Sequence, residues 1–187
     1  MLFRSISFTH TITIDQGSRA GIKPNLTVVN GSGLVGVVKT VFPNSSVVLL
    51  ASDPAFKIGV RVARNQSIGI LSGQGSNSGI LELLDNTARL KKNDVLLSRG
   101  SINNSPFVPG VPVGRVTKAS DSTNNVSQVA DVTYYANLNA LGVVSVILKA
   151  SDADPGNALI PKAPEPTPIP TVTVYATPSA TPSPSKS

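Results

Sequence analysis

The side chains that could do chemistry in this chain are few. There is one histidine, His10, and no cysteine. The acidic residues before position 151 are Asp15, Asp53, Glu82, Asp85, Asp94, Asp121 and Asp131. A serine hydrolase would need His10 to converge with a serine and a carboxylate. The LSGQGS stretch (71–76) matches neither a nucleophile elbow nor a Gly-Asp-Ser-Gly motif, and His10 sits in a Thr-rich alternating run. Glu82 and Asp85 are three apart, which on a strand turns them to opposite faces and removes the simplest acid–base pair. Asp53 before Pro54 and Asp15 before Gln-Gly read as turn starters. Without cysteine there is no thiolate nucleophile, thiolate zinc site or disulfide. DNTARLKKND (85–94) is not a calcium loop, and glycines 73, 75 and 79 do not fit a dinucleotide fingerprint. The residues assign no catalytic group, no metal and no cofactor.

The elements around these residues are short. Val- and Ile-rich runs are punctuated by Gly, Pro, Asn and Ser, which predicts an all-β barrel or sandwich fold. THTITID, LTVVN, GLVGVVKTV, SVVLLAS, KIGVRVAR, SIGILSG, GILELL, DVLLSRG, VPVGRVTKAS, QVADVTYY and GVVSVIL are the strand candidates. Asn30-Gly31 and residues 73–79 read as tight connections. SDPAFK (52–57) and YANLNALG (135–142) could each hold one helical turn. No apolar run reaches the ~18 residues that a membrane span requires. MLFRSISFTH is too short and too polar for a secretory signal, so any export signal is expected outside this chain.

One phrase occurs twice. GIKPNLTVV (21–29) aligns with RLKKNDVLL (89–97) at an offset of 68 residues, and LVGVVKTV (34–41) with PVGRVTKA (112–119) at an offset of 78. Gly36 falls on Gly114, and the change of offset is accounted for by the inserted SINNSPFVPGV. Order and spacing both persist, which predicts an internal duplication. In each copy the Gly-punctuated strand is expected to bend sharply or to let another backbone approach. A division near Asn65 gives a first barrel over 1–65 and a second over 66–150. Residues 151–187 hold nine of the fifteen prolines and read as a disordered Pro/Thr/Ser-rich tail.

The chain carries sixteen Lys+Arg against ten Asp+Glu, and the part before residue 151 is +7. The bases are dispersed, which argues for a solvated face rather than nucleic-acid binding. Aromatics are scarce. Phe42, Phe56, Phe107, Tyr134 and Tyr135 read first as core anchors, and any that is exposed becomes an interface candidate. Phe42, Phe56, Phe107 and Tyr135 are the candidate partner contacts.

GIKPNLTVVNGSGLVGVVKTV, SSVVLLASDP, GILSGQGS and FVPGVPVGRV, in that order, resemble the exoplasmic region of the rod shape-determining MreC family. One departure is Asn25, where a glycine is more usual after Lys-Pro. The resemblance implies two six-stranded β-barrels, arranged as in chymotrypsin-like proteases but without their catalytic residues. It implies a noncatalytic scaffold of cell elongation and lateral peptidoglycan synthesis at the outer face of the cytoplasmic membrane. Its implied partners are a class B penicillin-binding protein, MreD-like and RodA-like membrane proteins, and further copies of itself. A membrane helix and coiled coil, which family members carry, are not in this chain. The competing expectations are a secreted double-barrel hydrolase using His10 and a basic β-module binding anionic polymer or nucleic acid.

Overall fold

The structure, a computed structural model, describes residues 10–85, 87–120, 128–150 and 153–161. Asp121, residues 1–9 and residues 162–187 of the Pro-rich tail therefore lie outside the described residues. The strands are β1 (Thr11–Ile14), β2 (Thr27–Val29), β3 (Leu34–Val41), β4 (Ser46–Leu50), β5 (Lys57–Val62) and β6 (Ile68–Gly73). They continue with β7 (Ser78–Leu83), β8 (Val95–Ser98), β9 (Pro112–Ser120), β10 (Val129–Tyr134) and β11 (Ser145–Val146). Alternation of buried and partly exposed positions along β4 and β7 is the period-two pattern of a sheet with one face on a core. The two expected helical turns are absent. Asp53 Oδ1 instead accepts the Ala55 amide in a tight turn, and the chain enters β5 directly. Short 3-10 turns occur at Ser18–Ala20 and Ile102–Asn104.

The strands form a closed barrel, β10-β7-β6-β5-β8-β9, and an open five-stranded sheet, β1-β4-β3-β2-β11. The all-β, two-barrel layout thus stands, with the first barrel a curled sheet whose free edges are β1 and β11.

The duplication is written in the hydrogen bonds. The Asn25 amide donates to the Val38 carbonyl at 2.8 Å, and the Asn93 amide to Val116 at 2.8 Å. Val38 N–H donates to Leu26 O, and Val116 N–H to Asp94 O, both at 2.9 Å. Register shifts recur in the same places, after Val38 in the β3–β4 ladder and after Val116 in the β9–β10 ladder. Asn25 and Asn93 both have positive φ, 63° and 71°. Asparagine is among the few residues other than glycine that enter the left-handed region readily.

Each copy gives its last strand to the other. β5 follows the first copy, yet Val62 pairs with Leu96 of β8. β11 follows the second copy, yet Val146 pairs with Val28 of β2. The flanking bonds repeat as well: Ala63 N–H to Val95 O at 2.9 Å, and Ile147 N–H to Thr27 O at 3.0 Å. Division at residue 65 is therefore corrected at strand level. It would separate β5 from β6, which pair from Lys57–Ser72 to Arg61–Ile68. Spacing showed the repeat, but hydrophobic pattern cannot say which sheet receives an amphipathic strand.

Two clasps hold the closed barrel. Arg64 Nε and Nη2 donate to the two oxygens of Asp94 at 2.8 Å each, and the Lys91 amide adds a third bond. Burial would raise the Asp94 carboxyl, but the Arg64 bonds and the Lys91 amide outweigh it and hold it below the ordinary carboxylate range. The carboxylate is therefore stabilising above the unfolded-state value and loses that contribution as pH falls through its depressed folded value. The thermal midpoint should fall as the pH drops below the ordinary carboxylate value of about 4. Asp94→Asn should melt lower at neutral pH and show a shallower acid decline; parallel profiles would remove Asp94 as the titrating group.

The second clasp corrects the tail. Residues 153–161, expected to be disordered, are ordered by Arg61 of β5, which is buried and bonds Asp154, the Gly156 carbonyl and Asn157. Its Nε is buried without a partner, so the network is held by the two terminal nitrogens. Arg61→Ala should cost about 2 kcal/mol, as expected for charge-assisted bonds. It should also speed proteolysis within 153–161, and an unchanged cleavage rate would refute the clasp.

Candidate protein-interaction site

The constellation nearest to a hydrolase is His10, Ser52 and Asp53. His10 Nδ1 lies 3.3 Å from Ser52 Oγ, but Ser52 is buried. The Asp53 carboxylate faces the main chain rather than the imidazole: Oδ2 accepts the His10 amide and Oδ1 the Ala55 amide, both at 2.7 Å. A triad needs the carboxylate on the ring, where it can orient the imidazole and stabilise its charge. Here the trio ties the start of β1 to the β4–β5 turn. Glu82 lies exposed on β7, and Asp85 bonds the Thr87 amide and hydroxyl. No group of three His, Cys, Asp or Glu suited to a metal occurs among the described residues.

The aromatic candidates separate by burial. Phe56 and Phe107 are core, stacked edge to face with centroids 5.4 Å apart, so they are not available to a partner. Phe107 comes from the insertion between β8 and β9, which also bonds Thr27 of β2 through Pro106 and Val108. It thus packs one barrel against the other. Tyr135 is half-buried, which pushes its phenol pKa up. Phe42 alone of the four is open, at 50 % exposure, in the turn between β3 and β4. That turn is braced by Ser18 N–H to Phe42 O and by Arg19 to Asn44.

Two apolar surfaces were not singled out from the sequence. On the closed barrel, Ile70 and Val129 flank Glu82 across paired strands, with exposed Leu84 nearby. On the open sheet, a groove of about 800 Å³ runs between the free edges and is lined by Ile12, Ile14, Ile22, Val144, Val146 and Leu148. Val143 and Leu148 on its rim are 88 % and 54 % exposed. The available signal was GVVSVIL, an apolar run of which only Ser145–Val146 becomes strand.

These features define a class: a duplicated double β-barrel with exchanged strands and exposed apolar edges. The chain belongs to the MreC family, described as "Rod shape-determining protein MreC, barrel core", whose profile matches residues 3–148. It is 29 % identical over 147 residues to the cell shape-determining protein MreC of Listeria monocytogenes, covering 76 % of this chain and 49 % of that protein. The chain thus spans about half the length of that curated relative. The crystal structure of MreC from Pseudomonas aeruginosa superposes with a TM-score of 0.68 at 32 % identity, covering 76 % of this chain and 92 % of that one. A chain in the complex between PBP2 and MreC from Helicobacter pylori shares the fold, with a TM-score of 0.54 at 20 % identity over 74 % of this chain and 84 % of that one.

Proposed function

We propose that this chain is the barrel portion of a noncatalytic cell-shape scaffold. It acts at the outer face of the bacterial cytoplasmic membrane, where it recruits a class B penicillin-binding protein to lateral wall synthesis. The observation that carries the reading is the family match across both barrels. The Helicobacter pylori complex supports the choice of first partner. MreD-like and RodA-like membrane proteins and further copies of the chain are its other partners. Among the described residues no helix is long and apolar enough to cross a membrane, so contact through surface side chains is what this portion can offer.

The test is a titration against the soluble domain of the cognate class B penicillin-binding protein, at low and near-physiological salt, with heparin as control. Saturable binding should persist at the higher salt, and Phe42→Ala should weaken it ~10-fold if this exposed aromatic is an anchor. Binding to heparin alone, vanishing with salt, would make the chain a basic module instead.

A further inference from the structure

One outer face of the closed barrel is covered by chain that is no part of the barrel. Val60 and Val62 of β5 belong to the core, so Arg61 between them points outward, and its partner across the β5–β8 pairing is Leu97. Leu97 is fully buried yet stands outside the core cluster, and its own partner on β9 is Pro112. An outward position is buried only where something lies over it, and over Arg61 lies the strap formed by residues 153–161. Asp154, the Gly156 carbonyl and Asn157 all accept bonds from Arg61, and Asn157 Nδ2 donates to the Ala63 carbonyl at 3.2 Å. A Cβ on Gly110 would fall on the Pro155 ring, so this glycine is the seat of that proline. Leu159 and Pro161 line a groove together with Val29, Val111 and Pro112.

The strap is laid on this face rather than sunk into it. All of 153–161 except Gly156 and Ile160 is exposed, and the Asp154 side chain keeps 42 % of its surface in solvent. Nor does the strap use the guanidinium fully. Asp154 Oδ1 takes a single bond from Nη2 at 3.2 Å and also accepts the Gly156 amide, while Arg61 Nε is buried with no partner. Arg64 shows the complete arrangement in the same chain, with Nε and Nη2 each 2.8 Å from an oxygen of Asp94. Arg61, Leu97, Gly110 and Pro112 lie inside the stretch that matches the family, whereas the strap lies beyond residue 148, where the match ends.

We propose that the outward face of β5, β8 and β9 is a docking site for an acidic segment of a partner protein, and that residues 153–161 are an intramolecular ligand which that segment displaces. The segment is a turn whose carboxylate spans Nε and Nη2 of Arg61, followed by an aliphatic residue that takes the place of Leu159 beside Pro112. A bidentate carboxylate supplies the acceptor that Arg61 Nε lacks under the strap. The basic character of the chain before residue 151 favours an acidic partner in the same direction. Because the strap is tethered, it competes at high effective concentration and keeps the face closed to weak ligands.

A fluorescent peptide of residues 152–163, DADPGNALIPKA, is the probe, titrated against the full 187-residue chain. The Asp154→Ala/Asn157→Ala chain, with its own strap loosened, should bind the peptide at least ~10-fold more tightly than the unaltered chain. Arg61→Lys added to that variant keeps the charge and the buried stem but loses the fork, and should return binding to the unaltered level. Circular dichroism melts check that each chain is folded. A peptide carrying Asp154→Ala should not bind, which tests the carboxylate without altering the barrel. Equal binding, or none, by the loosened and unaltered chains would overturn the proposal, as would binding indifferent to both Arg61→Lys and the peptide's aspartate. Self-association of the unaltered chain that is lost with Arg61→Lys would assign the face to a second copy's strap and overturn docking of a different protein.

Discussion

Residues 1–65 and 66–150, made as separate chains, should each lack a cooperative thermal transition, and mixing them should restore one. The cut leaves β5 with the first piece and β11 with the second, so each piece loses a strand to the other. For the closed barrel the loss is severe. Ile58, Val60 and Val62 of β5 are all buried, and at ~1.5–3 kcal/mol each their removal rivals the whole stability of an ordinary domain. The lost strand also uncovers the edges of β6 and β8, which both pair with β5. The first piece keeps β1 to β4 but loses β11 and the Phe107 face that closes over Phe56. Circular dichroism melts of the two pieces, alone and mixed, decide it. A sharp transition in 66–150 alone, near that of the intact chain, would mean that strand exchange is dispensable. For the intact chain the expectation is a single transition, since neither barrel is complete without the other copy's strand.

The strands themselves were legible because each is a Val/Ile run between turn residues, and every run proposed from the sequence overlaps one of the eleven. The repeat was legible because Gly36 and Gly114 mark a place where side-chain size is constrained, and such positions keep their residue. Strand exchange was not legible. Val60 and Val146 would satisfy either sheet, and only the chain's path selects one. The ordering of 153–161 was missed because composition registers proline and small residues, while the ordering agent is Arg61, nearly a hundred residues earlier. The interaction site was read least well. Aromatic content alone could not distinguish Phe42, lifted out on a turn, from Phe56, sunk between the barrels. Val143 and Leu148 were hidden in a run that reads as an ordinary core strand, and their exposure follows from the open edge beside them. Asn25, an oddity against the family pattern, became intelligible once its backbone was seen to be left-handed.

The largest single-residue effects should come from the repeated glycines. A Cβ on Gly36 would fall on the Leu49 carbonyl oxygen, and a Cβ on Gly114 on that of Thr133, both far inside contact distance. The obstacle in each case is the backbone of the neighbouring strand, which cannot rotate away as a side chain can. Neither glycine has positive φ, so the demand is for space alone. Gly36→Ala and Gly114→Ala should each cost about 3 kcal/mol or more, at the severe end for one added methyl group. Gly59 of β5 supplies the contrast, since a Cβ there meets nothing within 4 Å and its φ is not positive. Gly59→Ala should be neutral or stabilise by up to about 1 kcal/mol, because alanine loses less freedom on folding. Urea unfolding of the three variants makes the comparison under one set of conditions. If Gly36→Ala and Gly59→Ala came out within about 0.5 kcal/mol of each other, the close-approach account of the repeated phrase would fail. The same experiment tests the exchange of strands: Gly36→Ala in one copy and Gly114→Ala in the other must lower one shared transition. Two separated transitions, each moved by only one of the variants, would mean that the copies fold apart.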